Sequence, residues 1–267
     1  MIPYPQINPT IIKIGFLEIR WYGLLYIVSF ILGYIFLKKL FAMKNIKITK
    51  DKYDSFLFYI MIGVIVGGRL GYILFYNLSY YITNPLHILT VWEGGMSFHG
   101  GAIAVVIMGF VFCHKYNYKF YQLADPVMPM ASIGLFLGRI GNFINAELYG
   151  RVTNLPWGMI FPGSDDGLPR HPSQLYEAFF EGLVLFLITY LILKKIKKQG
   201  LVFWIWIALY GVFRFLIEFV REPDAHLGYI FWFFTMGQIL CAVMIITSII
   251  AITILLKKHS ENEISEN

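Results

Sequence analysis

Continuous apolar runs of about 20 residues, separated by short polar stretches, recur along nearly the whole chain. Each is long enough to cross a hydrocarbon core of ~30 Å as an α-helix. The pattern predicts seven spans, over residues 21–41, 55–76, 96–113, 123–144, 174–193, 201–220 and 229–256. What lies between them is less regular. Residues 1–20 read as an N-terminal arm, with Pro3, Pro5 and Pro9 opposing long regular structure and an alternating stretch before Trp21. Residues 146–173 form the longest polar segment and predict a small head outside the membrane. The tail, residues 259–267, is polar and reads as disordered. The spanning domain thus covers residues 21–258.

Composition supports helices in lipid. Of the 267 residues 58% are hydrophobic and only 14% charged, far below the roughly 25% of soluble domains. The runs are continuous rather than alternating, which excludes barrel strands. Residues 1–20 lack a basic start followed by an apolar core, so the first span is expected to act as its own insertion signal. The net charge of +6 does not point to nucleic acid, because fourteen of the fifteen lysines lie at or just after the ends of spans one, three, five and seven, leaving only Lys13 elsewhere. Under the positive-inside rule those ends and the C-terminus are cytoplasmic, and the N-terminus and the head are outside.

The seven arginines distribute differently. Arg20, Arg151, Arg170 and Arg221 fall on the outer side, while Arg69, Arg139 and Arg214 lie within spans. Each of these three is about 13 to 15 residues from the cytoplasmic start of its helix, roughly 20 Å at the α-helical rise. An arginine fork pairs bidentately with phosphate, so three forks at one depth suggest a site for an anionic headgroup in the outer leaflet. For Arg139 alone a second reading stands beside this one, a side chain that snorkels to a headgroup.

The densest polar group inside an apolar context is the segment from Gly138 to Gly150, which brings Arg139, Asn142, Asn145 and Glu147 together with three glycines. On span six, Tyr210, Arg214 and Glu218 follow at four-residue spacing, and Arg221 is seven residues after Arg214. All four are expected on one helix face, with Glu218 pairing both arginines. As a purely structural feature this is a self-satisfied stripe. His99, opening span three before Gly100 and Gly101, is the best candidate for a general base, though an interfacial histidine also serves as a polar anchor. Ser173 is expected to cap span five, with Glu177 near the first turn. Cys113 and Cys241 sit in separate apolar runs and suggest neither a disulfide nor a nucleophile. No spacing of His, Cys and carboxylates indicates a metal site.

These motifs resemble those of the bacterial prolipoprotein diacylglyceryl transferases. Gly138–Gly150 is similar to the family signature at every polar position, Ala146 standing where glycine is also found. Arg20-Trp21-Tyr22-Gly23, Gly68-Arg69-Leu70-Gly71-Tyr72, His99-Gly100-Gly101, His171-Pro172-Ser173-Gln174-Leu175-Tyr176-Glu177, and Tyr210 through Arg214, Glu218 and Arg221-Glu222-Pro223-Asp224 follow in the family's order. The resemblance runs from about Pro5 to Lys258. It implies transfer of a diacylglyceryl group from phosphatidylglycerol to the lipobox cysteine of a prolipoprotein in the bacterial cytoplasmic membrane, with release of glycerol phosphate. It implies no metal or organic cofactor. By the same resemblance Tyr22, His99, Arg139, Asn142, Glu147, Gly150, Tyr210, Arg214, Glu218 and Arg221 map onto functional positions. Arg69 is expected to join Arg139, Asn142, Gly150 and Arg214 at the headgroup. A multi-span lipid or anion transporter is the alternative function, but the internal repeats such a fold carries are not visible.

Overall fold

A computed structural model describes residues 2–15, 17–90, 94–164, 166–222, 229–231 and 234–265. Among these, six helices are long and apolar enough to cross a membrane. They are α1 (Trp21–Met43), α2 (Lys50–Tyr76), α4 (Phe98–Tyr116), α5 (Phe120–Ile144), a continuous rod over Ser173–Lys195, and the apolar part of α9 (Met236–Ser265). The rod consists of α6 (Ser173–Glu177), a π-helical segment (Ala178–Val184) and α7 (Leu185–Lys195). A seventh apolar helix, α8 (Leu201–Ile217), has 17 residues, a length of about 26 Å at the α-helical rise. The protein is a helical, multi-span membrane protein.

Two compact units divide the chain: residues 45–124, and residues 1–44 with 125–267. In the first, α2 and α4 pack through small residues. Gly63, Gly67 and Gly71 repeat every four residues along one face of α2, and a Cβ at Gly71 would lie 2.6 Å from Cα of Gly100. A Cβ at Gly67 would overlap the side chain of Ala104. Without a hydrophobic drive between helices in lipid, such close backbone approach is what holds them. The helix ends are capped locally. The Thr49 side chain accepts from the Lys52 amide and starts α2 five residues earlier than the apolar run predicts, Ser97 Oγ accepts from Gly100 N (3.3 Å), and Asn117 ends α4 in the left-handed region with φ 58°. A short helix α3 (Leu78–Thr83) and a 3-10 turn (Pro85–Leu89) follow α2.

In the second unit the alternating stretch before α1 is a β-hairpin, β1 (Thr10–Ile14) against β2 (Leu17–Arg20). The arm's Tyr4 donates to the last carbonyls of α5, Phe143 O at 2.7 Å and Ile144 O at 3.1 Å. Its ring packs with Phe143, Met159 and Phe161 into a small core under the head. At the opposite, lysine-rich end, Asp125 accepts from Gly200 N (2.7 Å) and Phe203 N (2.9 Å) and so satisfies amides at the start of α8. Lys44 donates to Leu193 O (2.9 Å) and Ile196 O (2.5 Å), carbonyls that the end of α7 leaves open.

Five expectations change. α5 begins at Phe120, three residues before the apolar run predicts, so that Pro126 and Pro129 lie inside the helix. The rod over residues 173–195 is not capped by Ser173, whose Oγ donates to Leu148 O at 3.0 Å. α8 stops at Ile217, because bonds from Phe219 N to Leu216 O and from Val220 N to Ile217 O tighten the turn, and Arg151 N takes the Val220 carbonyl; Pro223, two residues past Arg221, also disfavours continued helix. The seventh run opens as strands β3 (Tyr229–Phe231) and β4 (Phe234–Thr235) before α9. The helix starts where Thr235 and Gln238 form a reciprocal capping box, Gln238 N to Thr235 Oγ1 at 3.2 Å and Thr235 N to Gln238 Oε1 at 3.1 Å. At its far end the α9 backbone stays helical to Ser265, beyond the Lys258 boundary of the apolar run, since extending a nucleated helix by a turn or two costs little.

Candidate active site

The site in the second unit is built around a carboxylate that the membrane pattern places inside a span. Glu177 is fully buried and takes three arginines. Arg139 Nε lies 2.8 Å from Glu177 Oε2, Arg214 Nη1 is 2.6 Å from Oε1, and Arg221 Nη1 is 3.3 Å from Oε1. Arg214 Nη2 also reaches Glu218 Oε2 at 2.8 Å, and Glu218 Oε1 accepts from Thr235 Oγ1 at 3.0 Å. Glu181, four residues after Glu177 and within the π-helical segment, stands further off, 3.7 Å from Arg139 Nη2 and 4.0 Å from Arg214 Nη1. Isolated π turns recur at functional sites because they redirect side chains within an otherwise regular helix.

The arginines sit over the carboxylates in an ordered way. Glu177 and Glu181 have no exposed side-chain surface, whereas Arg139 keeps 17% and Arg214 14%. The carboxylates therefore hold the guanidiniums from the buried side, and each arginine side chain keeps a small exposed surface. Tyr210, one turn before Arg214, is buried with its ring stacked on Trp206, centroids 5.3 Å apart. Trp206 Nε1 in turn donates to Ser132 Oγ of α5 at 2.7 Å, which fixes α8 against the helix that carries Arg139.

Beyond Arg139 the signature segment folds into a tight polar turn. Asn142 Nδ2 donates to Glu147 Oε1 at 2.8 Å and Asn145 Nδ2 to the same oxygen at 3.2 Å. Ala146 and Leu148 both adopt the left-handed region, φ 53° and 57°, which costs a residue with a Cβ more than it would glycine. The strained turn is strapped by Gln174 Nε2 to Glu147 O (2.6 Å) and by Ser173. Tyr22, at the start of α1, lies across Gly141; a Cβ there would come within 2.7 Å of its ring.

Gly150 has a backbone reason to be glycine. It pairs with Arg221 in an isolated bridge, its amide donates to His171 O at 2.8 Å, and a Cβ would strike the Val220 carbonyl and His171. Arg151 Nε donates to Arg221 O at 2.8 Å, joining the head to the end of α8. His171, bonded through its backbone to Gly150 and Arg151, has its imidazole pushed below the ordinary value by burial. Arg170 closes the head's outer face through Asp166 (2.7 Å) and Glu222 (3.1 Å).

Arg69 and His99 belong to the other unit. Arg69 is buried, and its guanidinium is spent on the loop after α3: Nε to Ile88 O (3.0 Å), Nη1 to Gly94 O (2.5 Å) and Gly95 O (3.3 Å), and Nη2 to His87 O and Thr90 Oγ1. Its plane also lies over Tyr81. Those bonds make it a loop clamp, not an open fork. His99 is exposed in the first turn of α4.

The site thus gathers Tyr22, Arg139, Asn142, Glu147, Gly150, Tyr210, Arg214, Glu218 and Arg221 onto one compact unit. The expected helix stripe is different in detail. Arg221 has left the helix for the bridge with Gly150 and meets Glu177. Glu177 and Glu181 are the residues that sequence reasoning missed as partners of the arginines. The signal was present, since two carboxylates four residues apart inside an apolar run require buried cations. Pro223 and Asp224 of the motif after Arg221 lie outside the described residues, as does His226.

A family model described as prolipoprotein diacylglyceryl transferase matches residues 9–254. The chain belongs to that family. It is 54% identical over 237 residues to a Geobacter sulfurreducens protein, covering 89% of this chain and 91% of the other. It is 52% identical over 246 residues to one from Rickettsia felis, covering 91% and 95%, and 51% identical over 249 residues to one from Rickettsia bellii, covering 92% and 94%. All three bear the name phosphatidylglycerol–prolipoprotein diacylglyceryl transferase.

Proposed function

We propose that this protein transfers the diacylglyceryl group of phosphatidylglycerol to the lipobox cysteine thiol of prolipoproteins in the bacterial cytoplasmic membrane. The observation that carries the reading is the seating of Arg139 and Arg214, from two different helices, on one buried carboxylate, in a chain of this family. The acceptor sulfur attacks the glyceryl carbon, an S–C bond forms, and the C–O bond to phosphate breaks with its electron pair going to the phosphate oxygen. The products are a thioether and glycerol phosphate. Charge accumulates on that phosphate as the bond opens, and preorganised guanidiniums in a site of low dielectric stabilise it.

In this scheme Arg139 and Arg214 bind the phosphate, and Asn142, held by Glu147, supplies a further polar contact. Tyr22 shapes the wall beside Gly141. Gly150, Tyr210, Glu218 and Arg221 support the site through the contacts described above, and Arg69 keeps the loop after α3 in place. His99 accepts the thiol proton, for which its exposure on the first turn of α4 leaves room. Because the nucleophile comes with the acceptor, the buried Cys113 and Cys241 have no part in it. The head, residues 146–173, and the arm face the extracytoplasmic side, a reading supported by the fourteen lysines at the opposite helix ends.

The test is release of glycerol phosphate from phosphatidylglycerol by the purified protein, with and without a lipobox peptide. Release that requires the cysteine of the peptide supports the transferase. No release, with phosphatidylglycerol instead moved between leaflets of a vesicle, would replace it by a transporter.

A further inference from the structure

The lysine-rich end of the second unit, opposite the arginine site, carries more positive charge than its own fold neutralises. Nine lysines lie there: Lys38, Lys39 and Lys44 at the end of α1, Lys194 and Lys195 at the end of α7, Lys197 and Lys198 in the turn to α8, and Lys257 and Lys258 at the end of the apolar run of α9. Against them stand only Asp125 and the tail's Glu261, Glu263 and Glu266. The turn from α7 to α8, residues 196–200, is pinned on three sides. Lys44 donates to the Leu193 and Ile196 carbonyls, Asp125 accepts from the Gly200 and Phe203 amides, and Lys198 donates to the Leu255 carbonyl of α9. These contacts bring the ends of α1, α7 and α9 to one turn. They also occupy the carboxylate and the open carbonyls that could otherwise serve the neighbouring lysines.

Lys38, Lys39, Lys194, Lys195 and Lys197 are exposed, and among the described residues none of them pairs with a carboxylate. Burial, and then the nearby Lys197, hold the Lys44 ammonium below the usual lysine range against the pull of Asp125. Two ammoniums that close repel each other, and an anion beside them relieves the repulsion. The direction of the side chains selects the kind of anion. Lys39 Nζ lies over the Phe36 ring, 5.1 Å from its centroid, and Lys194 Nζ over the Tyr190 ring at 5.3 Å. Each ring is about one helical turn nearer the bilayer centre than its lysine. The ammoniums are therefore drawn back along their helices to the depth of the headgroups, where long basic side chains cover apolar surface and keep their charge at the interface. A soluble polyanion would call for lysines that project away from the membrane.

We propose that the ends of α1, α7 and α9, with the turn at residues 196–200, form a docking surface for anionic phospholipid headgroups in the leaflet at the lysine-rich end, separate from the arginine site. Basic clusters of this size beside a membrane span are drawn to anionic leaflets. Orientation of the protein asks only for lysines on one side of the membrane; it does not ask for a turn fixed at both its carbonyls and its amides. Fixing the turn serves binding, because lysines whose backbone is already held lose less freedom when a headgroup arrives. The surface is independent of the transfer reaction.

The test reconstitutes the purified full-length protein in phosphatidylcholine bilayers and measures, by electron spin resonance, how strongly its boundary prefers spin-labelled phosphatidylserine to spin-labelled phosphatidylcholine. The serine lipid is net negative and is not the lipid read as substrate. Wild type should prefer it by at least about threefold at low salt, and the preference should fall towards parity near ~1 M salt, where the screening length is ~3 Å. The variant Lys194→Gln/Lys195→Gln/Lys197→Gln, outside the arginine site, should lose at least half of the excess over parity, and Lys194→Arg/Lys195→Arg/Lys197→Arg should keep it. A wild-type preference below about threefold, a preference indifferent to salt, or a glutamine variant that keeps more than half of the excess overturns the proposal. Where a thermal melt shows the glutamine variant unfolded, Lys38→Gln/Lys39→Gln at the exposed end of α1 is held to the same criterion. Heparin bound in detergent through the same lysines, with no lipid preference in bilayers, would assign the surface to a soluble polyanion and overturn the proposal as well.

Discussion

Replacing Glu177 by Gln removes one charge and keeps the shape, and its effect can be bounded from three distances. Arg139, Arg214 and Arg221 stand 2.8, 2.6 and 3.3 Å from its oxygens. At an effective dielectric of about 20, unit charges about 4 Å apart attract by ~4 kcal/mol, so the gross attraction from three such partners exceeds ~10 kcal/mol. Most of that is offset by the cost of burying the ions, and removing one partner of a buried pair has a net cost of about 3–5 kcal/mol because the other charge is left uncompensated. Glu218 still holds Arg214, so the lower half of the range is expected. For a protein of this size ~3 kcal/mol corresponds to a fall in Tm of roughly 6–12 °C. The assay is thermal unfolding in detergent, with Glu181→Gln as the matched control. Its distances of 3.7 and 4.0 Å without hydrogen bonds predict a loss below ~1 kcal/mol. Equal melting temperatures for Glu177→Gln and wild type would refute the view that Glu177 is the hub of the arginines. Equal and large losses for both variants would refute the distinction between the two carboxylates.

Three further outcomes follow from the same geometry. Arg139→Lys keeps the charge but cannot rest on Glu177 and grip phosphate together, so turnover with phosphatidylglycerol and a lipobox peptide should fall by at least ~10-fold, or ~1.4 kcal/mol of transition-state stabilisation; near-normal turnover would return Arg139 to an anchoring role. Gly150→Ala forces a Cβ against the Val220 carbonyl and His171 and should destabilise the head by about 1–3 kcal/mol, read as faster proteolysis between residues 150 and 172; an unchanged digestion pattern would contradict the close approach. With Cys113 and Cys241 replaced by Ala, a single cysteine at Ser164 should react with membrane-impermeant maleimide from the outside of intact cells, and protection there would reverse the proposed orientation.

The order of the helices was legible in the chain because the solvent is apolar and uniform. In lipid, a run of about 20 apolar residues must satisfy its backbone within itself, which leaves helix as the only choice. The arm's alternation before Trp21 likewise became the β1–β2 hairpin. Ends were less legible. The start of α9 depended on Thr235 and Gln238, a capping box at the recognisable spacing that the hydrophobic continuity of residues 229–256 conceals. The end of α8 depended on Arg151 taking the Val220 carbonyl across 69 residues of sequence.

The local order of the chain alone makes Gly138–Gly150 a polar island and puts Arg139 and Arg214 inside apolar runs. It also holds Glu177 and Glu181 within an apolar run, and charge in hydrocarbon demands a partner. Which partner could only be decided in three dimensions. An intramembrane arginine is satisfied equally by a carboxylate, a backbone carbonyl or a lipid phosphate, and the three choices look identical in one dimension. The fold sends Arg69 to the carbonyls of its own loop, sends Arg221 out of its helix to Gly150 and Glu177, and seats Arg139 and Arg214 on a shared carboxylate. Those assignments come from contacts between residues far apart in the chain, whose energies depend on distance and burial that no spacing in the sequence encodes.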